Sequence, residues 1–537
     1  MTRGNLRPLV LLPVLVALLI GSGLVAAARA SALSLPLPGR EVTIDTGKLK
    51  GNVRLDRREF LGIPFAASTA GDGRFRAPRP PAKWSGVRDA TRSGAACPQI
   101  LPSSEDCLTV DVHTPPLSAG TDLPVMVWIY GGAFVFGSNS GYDPSPLIKE
   151  DVIVVNVNYR LGPFGFLSLP GLKESNVALL DQQAGLRWVK RNIAAFGGDP
   201  GKVTVFGESA GGSSVCHQMA SPLAEGLFQQ AIVQSGSCSG RNGLTPVSKD
   251  EIQKRSRAFA REMGCEDPAE EVACLRALPQ DKLLSSKTLE FQLDLTWVPS
   301  VDGVVVPRSL EDAWRTGQYQ KVPMIVGGTR DEGRTFIALL DHLLTLSSVS
   351  PEEYAAFVRD AFGDDADAVL AKYPVSAFDS ADLAKATVLT DFSFACATAF
   401  HIEQADAAGS RVFAYELNDV DPPLAGVDPF MPMGNFHGSD VLYLFNSLQG
   451  IPAIRNGTQQ KLSDQMVAAW TSFARSGDPG AVGGTDWPVW SAERPRVIQL
   501  SSAGSTLSTT VPGEHNCDFW EPIVGPTALG DRDYTAE

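Results

Sequence analysis

Lys202 to Gly212 reads Lys-Val-Thr-Val-Phe-Gly-Glu-Ser-Ala-Gly-Gly. An apolar, β-branched run stops at Gly207, Ser209 stands between Gly207 and Gly211, and small residues follow. A serine carried on a sharp strand-to-helix turn needs glycine on both sides, because a Cβ there would collide with the neighbouring strand or helix. The turn holds the hydroxyl clear of its own backbone, where it can act as a nucleophile toward a carbonyl carbon. The short G-x-S-x-G pattern recurs by chance. Its setting, between a buried strand and a small-residue helix, is what separates a nucleophile elbow from an ordinary turn.

Attack on a carbonyl creates an oxyanion, which needs donors already in place. The elbow sets the backbone N–H of Ala210 at a helix N-terminus, where unsatisfied donors and the helix dipole favour negative charge. Further donors should follow an earlier strand, and Trp128-Ile129-Tyr130-Gly131-Gly132-Ala133-Phe134 offers glycines at such a strand end. Standing alone, this stretch would pass for a plain Gly-Gly turn.

The base is sought among His113, His217, His342, His401, His437 and His515. In the α/β-hydrolase arrangement implied by such an elbow, the chain order is serine, acid, histidine, which disfavours His113. His217 shares a helix with Ser209 and lies about 12 Å along its axis at ~1.5 Å per residue, too far to exchange a proton. His401 continues an apolar helical pattern and His515 neighbours Cys517, so structural roles suit both. His437 occupies the glycine-flanked stretch Met433 to Asp440, which can present an imidazole. For the acid, Gly327 to Gly333 follows a strand run and offers Asp331 and Glu332, which position alone does not separate.

These groups need a frame. Apolar runs at Val125 to Tyr130, Val152 to Val157, Val203 to Phe206, Ala231 to Val233, Met324 to Val326 and Val412 to Tyr415 are continuous rather than alternating. Such runs suit strands covered on both faces. Helical spacing appears in Leu179 to Phe196 and Gly211 to Met219. Strands alternating with helices predict an α/β fold with a mostly parallel sheet and helices on both sides. Two helix-rich regions, 248–291 and 350–399, lack strand signals and are expected as insertions in a single catalytic domain spanning 31–537.

Arg3 and Arg7 precede an uncharged stretch from Pro8 to Ala28, and Ala28-Arg29-Ala30 fits a small-residue cleavage site. Residues 1–30 are therefore expected to be a signal peptide and the remainder to be released outside the cell, with no stable membrane anchor. The leader carries three arginines and no acids, so its loss moves the net charge from −14 to −17. Phosphate-bearing partners, nucleic acid and anionic membranes, are excluded by that charge. All eight cysteines lie beyond the leader, and an even count in an exported chain predicts disulfides. Sequence proximity favours Cys97 with Cys107 and Cys265 with Cys274. A zinc site is disfavoured, since C-x-x-C spacing and a companion histidine pair are missing.

The chain resembles the type-B carboxylesterase and lipase family, which includes the cholinesterases, from about Glu41 to Trp520. The matching segments are Phe60 to Ala66, Glu105 to Leu108, Tyr130 to Phe134, Asn156 to Phe166, Asp181-Gln182 and Phe196 to Gly212. The resemblance implies the α/β-hydrolase fold and hydrolysis of carboxylic esters through an acyl-enzyme, without metal or organic cofactor. It makes Ser209, Glu332 and His437 the catalytic set, and the N–H groups of Gly132, Ala133 and Ala210 the oxyanion donors. It further implies bridges Cys97–Cys107, Cys265–Cys274 and Cys396–Cys517. Cys216 and Cys238 are left over, and the even count suggests a fourth bridge between them.

Relatives often carry glycine at the position of Ala133, a departure that matters little where only the backbone is used. The short span from Cys97 to Cys107 lacks the tryptophan that cholinesterases place after the first of these cysteines, which argues against choline esters. Two alternatives share the scaffold: a triacylglycerol lipase, and a catalytically silent binding or adhesion module. The intact serine, glutamate and histidine set argues against the second.

Overall fold

The computed structural model describes residues 39–524, apart from 237, 239–245, 285–296, 343–345 and 425–427. The expected leader in 1–30, the Leu33–Pro38 stretch and the tail beyond Val524 lie outside the described residues.

The centre is an eleven-stranded sheet. Its strands in chain order are β1 (Asn52–Val53), β2 (Arg58–Pro64), β3 (Thr109–Thr114), β4 (Leu123–Ile129), β5 (Ile153–Val157), β6 (Gly198–Glu208), β7 (Gln230–Gln234), β8 (Met324–Thr329), β9 (Val412–Leu417), β10 (Val497–Leu500) and β11 (Thr506–Ser508). They lie in the order β11-β10-β9-β8-β7-β6-β4-β5-β3-β2-β1. From β5 to β10 every neighbouring pair is parallel, and the two margins are antiparallel. The parallel strands are buried nearly end to end, which is why they read as unbroken apolar runs.

β2 and β3 escaped that criterion because polar residues interrupt them: Arg58 and Glu59 open β2, and Thr109, Asp111 and His113 alternate with valines in β3. Polar residues there are buried all the same, Arg58 and Asp111 with hydrogen-bond partners. Asp111 accepts from the Gly62 N–H at 2.7 Å and the Ser93 hydroxyl at 2.6 Å, and Arg58 donates to the carbonyls of Pro115 and Phe196. Burying unpaired polar groups would cost several kcal/mol, so these bonds are what make the strands tolerable.

Helices cover the sheet. α1 (Val177–Asn192) runs into a 3₁₀ turn and stops at Gly197, whose φ of 98° ends it. α2 (Ala210–Ala220) follows β6 directly. In the first helix-rich region, α3 (Lys249–Glu262) starts at Ser248, whose side chain accepts from the Glu251 N–H. In the second, α4 (Pro351–Phe362) opens with a Ser350/Glu353 capping box, a device worth about 1 kcal/mol. α5 (Ala381–Thr390) continues through a π-turn into α6 (Cys396–Ala407). α7 (Gly457–Ser476) and α8 (Cys517–Val524) complete the set used below.

The second helix-rich region has no core to itself. Tyr354, Val358 and Val369 pack in one cluster with Met431, Met433 and Phe436, beside His437, and with Trp520 of α8. Four disulfides close the molecule: Cys97–Cys107, Cys216–Cys238, Cys265–Cys274 and Cys396–Cys517.

Candidate active site

β6 delivers Glu208 and Ser209 to its carboxyl end, and α2 begins at the next residue. Ser209 has φ 60° and ψ −126°, a conformation that costs roughly 1–3 kcal/mol for a residue with a side chain. Its N–H is held by the Gln234 carbonyl of β7 at 2.9 Å, and its carbonyl accepts from Ser213 at 2.8 Å. The flanking glycines are obligatory. A Cβ on Gly207 would stand 2.6 Å from the Gly211 and Ile129 carbonyl oxygens, and one on Gly211 would strike Ile129 outright.

The loop after β4 lies on this elbow, so closely that a Cβ on Gly131 would come within 2.9 Å of Ser209 Cβ. Gly132, Ala133 and Phe134 all have positive φ, at 114°, 52° and 63°. Three such residues in succession turn the backbone sharply. Among the described residues, the N–H groups of Gly132, Ala133 and Ala210 donate to no acceptor within the protein.

The loop after β8 separates the two acidic candidates. Glu332 accepts the Thr329 N–H at 2.7 Å on one oxygen and lies 2.5 Å from His437 Nδ1 with the other. Asp331 turns away, accepting the Asn435 N–H at 2.8 Å and pairing with Arg334 at 2.6 Å. One carboxylate therefore meets the imidazole, while its neighbour fastens the loop that carries it.

His437 is nearly enclosed. The rings of Phe336 and Phe394 each lie 5.1 Å from it, centroid to centroid, and 5.4 Å from each other. Its Nε2 is 3.2 Å from Glu208 Oε1 and, among the described residues, has no hydrogen-bond partner. Burial by itself would lower the imidazole's pKa, but the carboxylates of Glu208 and Glu332 raise it to about 9. Burial also drives the Glu208 carboxyl up, to about 8, against the pull of His437. The two groups are coupled: a proton on Glu208 removes one of the charges that hold a proton on His437. Behind them Asp440, raised by burial, accepts from Tyr415 at 2.7 Å and Gln234 at 2.9 Å.

The remaining histidines sit elsewhere. Burial holds His113 and His217 down to about 4 and His401 to about 3, so these are neutral imidazoles of the core. His217 bonds the Ser213 carbonyl of its own helix at 2.7 Å. His342 and His515 each lie between two carboxylates. Sequence reasoning missed the contact of Glu208 with His437 and the pair of phenylalanines around it. An acidic residue inside the elbow was the one available sign of the first, and it carries no direction. Among the described residues, no three His, Cys, Asp or Glu side chains converge to hold a metal ion.

The carboxylesterase family pattern matches residues 38–520. Para-nitrobenzyl esterase of Bacillus subtilis (strain 168) is 35% identical to the chain, over 86% of this chain and 94% of the relative. Cocaine esterase of Homo sapiens is also 35% identical, over 87% of each. A solved structure of PNB esterase superposes with a TM-score of 0.77 at 33% identity, covering 89% of this chain and 99% of that one. Sheet, elbow and relatives together define a carboxylic-ester hydrolase with the α/β-hydrolase fold. The chain belongs to the carboxylesterase family.

Proposed function

We propose that the chain is an exported serine esterase that cleaves small carboxylic esters in two acyl-transfer steps. Ser209 Oγ attacks the ester carbonyl while His437 Nε2 takes its proton, and the N–H groups of Gly132, Ala133 and Ala210 receive the charge forming on the carbonyl oxygen. The imidazolium then gives that proton to the departing alcohol, leaving an acyl group on Ser209. Water, deprotonated by the same nitrogen, attacks the acyl-enzyme, and the proton returns to Ser209 as the carboxylic acid leaves. Glu332 fixes the tautomer of His437 and stabilises its cation without taking the proton.

One observation carries this reading: His437 is bonded to Glu332 through Nδ1 and keeps Nε2 without a hydrogen-bond partner among the described residues, beside the residue that precedes Ser209. Export is supported by four disulfides and by the charge pattern of residues 1–30, with 31–537 as one catalytic domain. Among the described residues, no helix is long and apolar enough to cross a membrane.

The test is Ser209→Ala assayed on p-nitrophenyl acetate and butyrate. Turnover should fall roughly 10⁴- to 10⁶-fold, as in other serine hydrolases that lose the nucleophile, with the unfolding temperature maintained. Wild-type turnover in the variant would dismiss the mechanism. Profiling esters from C2 to C16 separates an esterase preference from that of a lipase.

A further inference from the structure

Glu332 and His437 reach each other on two segments that run side by side in opposite directions. Asp331 exchanges backbone and side-chain bonds with Asn435, at 2.9 and 2.8 Å. Arg334 donates to the Pro432 carbonyl at 2.8 Å, and the Thr335 hydroxyl to the His437 carbonyl at 3.3 Å. All these ties lie close to the Glu332–His437 contact. Beyond them the first segment continues through a π-turn, Ile337–His342.

At its end stands His342, buried, with Nδ1 2.8 Å from Asp428 Oδ2 on the opposite segment. Its Nε2 is 2.8 Å from Asp382 Oδ1 on α5. Both carboxylates are themselves anchored. Asp428 accepts from the N–H groups of Phe430 and Met431, and Asp382 from that of Val349. The Phe430 ring covers the imidazole at 4.9 Å. Nearby charges are otherwise engaged: Asp341 with Lys385 of α5 at 2.9 Å, and Glu353 of α4 with Ser350. Both carboxylates can be bonded at once only while the imidazole carries a proton on each nitrogen. Burial opposes the second proton, but the two carboxylates prevail and the imidazole's pKa is raised.

We propose that His342 is a positioning residue: a cation clamped between Asp428 and Asp382 that locks the segment leaving Glu332 against the segment entering His437. The proposal rests on the roles given above to Glu332 and His437. Without the cation, Asp428 and the Asp382 carboxylate of α5 are left facing each other, so the segment entering His437 is pushed away from α5 and loses its tie to the segment leaving Glu332. The strain falls on the Glu332–His437 bond, because the segments it joins are the ones displaced. A displacement of about 1 Å at a reacting group costs up to 10²-fold in rate.

The experiment compares wild type, His342→Gln, Asp428→Asn and His342→Gln/Asp428→Asn on p-nitrophenyl butyrate. In His342→Gln, kcat should fall about tenfold with KM unchanged, because the bond it disturbs acts in the reaction rather than in substrate binding. The acid limb of kcat/KM should move to lower pH, since a His437 less tightly held by Glu332 gives up its proton more readily. The double variant, which removes one of the two facing charges, should recover most of kcat.

A lowered unfolding temperature with unchanged kcat and pH profile would mean that His342 serves stability alone, and would overturn the proposal. If His342→Gln does not fold, Asp428→Asn carries the test: it should show the same shift of the acid limb, and an unmoved limb overturns the proposal. Failure of the underlying mechanism is distinguishable, because it would appear as turnover retained by Ser209→Ala.

Discussion

Among the described residues, His342, His437 and His515 each lie between two carboxylates, and of the three only His437 keeps a ring nitrogen without a hydrogen-bond partner; His515 makes the sharpest contrast with it. His515 lies 2.7 Å from Asp391 through Nδ1 and 2.7 Å from Glu416 through Nε2. Those carboxylates are spoken for on their other sides: Asp391 accepts from the Tyr373 hydroxyl at 2.8 Å, and Glu416 from Arg330 at 3.0 Å and Gln499 at 2.8 Å. Burial alone would lower the pKa of His515, but the bonds to Asp391 and Glu416 raise it to about 10. Glu416 is correspondingly lowered despite its burial.

His437 has the same two neighbours in kind but not in bonding. One carboxylate, Glu332, bonds it; the other, Glu208, is pushed by burial toward holding its own proton and leaves Nε2 without a bond. Being flanked by carboxylates therefore does not mark a base. Complete satisfaction makes a structural cation, and a single open nitrogen makes a group that can exchange protons.

Three substitutions break or sharpen that contrast. Glu332→Gln attacks the side on which His437 is bonded, and should lower kcat roughly 10³- to 10⁴-fold by freeing the wrong tautomer, with little change in unfolding temperature. Activity within a few-fold of wild type would make Glu332 no more important to its histidine than Asp391 is to His515.

His515→Gln should do the reverse. It leaves buried carboxylates without their cation, so stability should drop by about 3–5 kcal/mol in urea unfolding, with kcat per folded molecule preserved. Its pH dependence has a fixed sign. The folded pKa lies above the unfolded one, so the contribution of His515 is complete below about pH 6.5 and fades as pH climbs toward 10. The gap between variant and wild type should narrow over that window; a constant gap would show that His515 is not held as a cation.

Glu208→Gln probes the open side and should have the mildest effect. Losing a carboxylate that supports the imidazolium should move the acid limb of kcat/KM to lower pH, with a loss in kcat of about tenfold or less. A shift to higher pH would contradict the coupling between Glu208 and His437.

The parts of the fold legible in the sequence were those governed by burial on both faces. β4 to β9 appear as unbroken apolar runs because a doubly covered parallel strand tolerates little else. β2 and β3 were hidden, since Arg58 and Asp111 are reconciled with the interior by partners distant along the chain. The elbow was legible because its glycines answer to local backbone contacts. Choosing between Asp331 and Glu332 depends on where Asn435 waits to receive one of them, a fact of three dimensions. The same holds for Glu208 and His342, whose partners lie 229 and 86 positions away in the chain.

The bridge between Cys216 and Cys238 ties α2, which follows Ser209, to the stretch after β7, whose last carbonyl already holds the serine's amide. Closing a span of 22 residues removes about 3 kcal/mol of freedom from the unfolded chain in the entropy picture of crosslinks. It also acts locally. However far heat loosens the margins of the molecule, the Ser209 turn and the strand next to it stay on one short covalent leash.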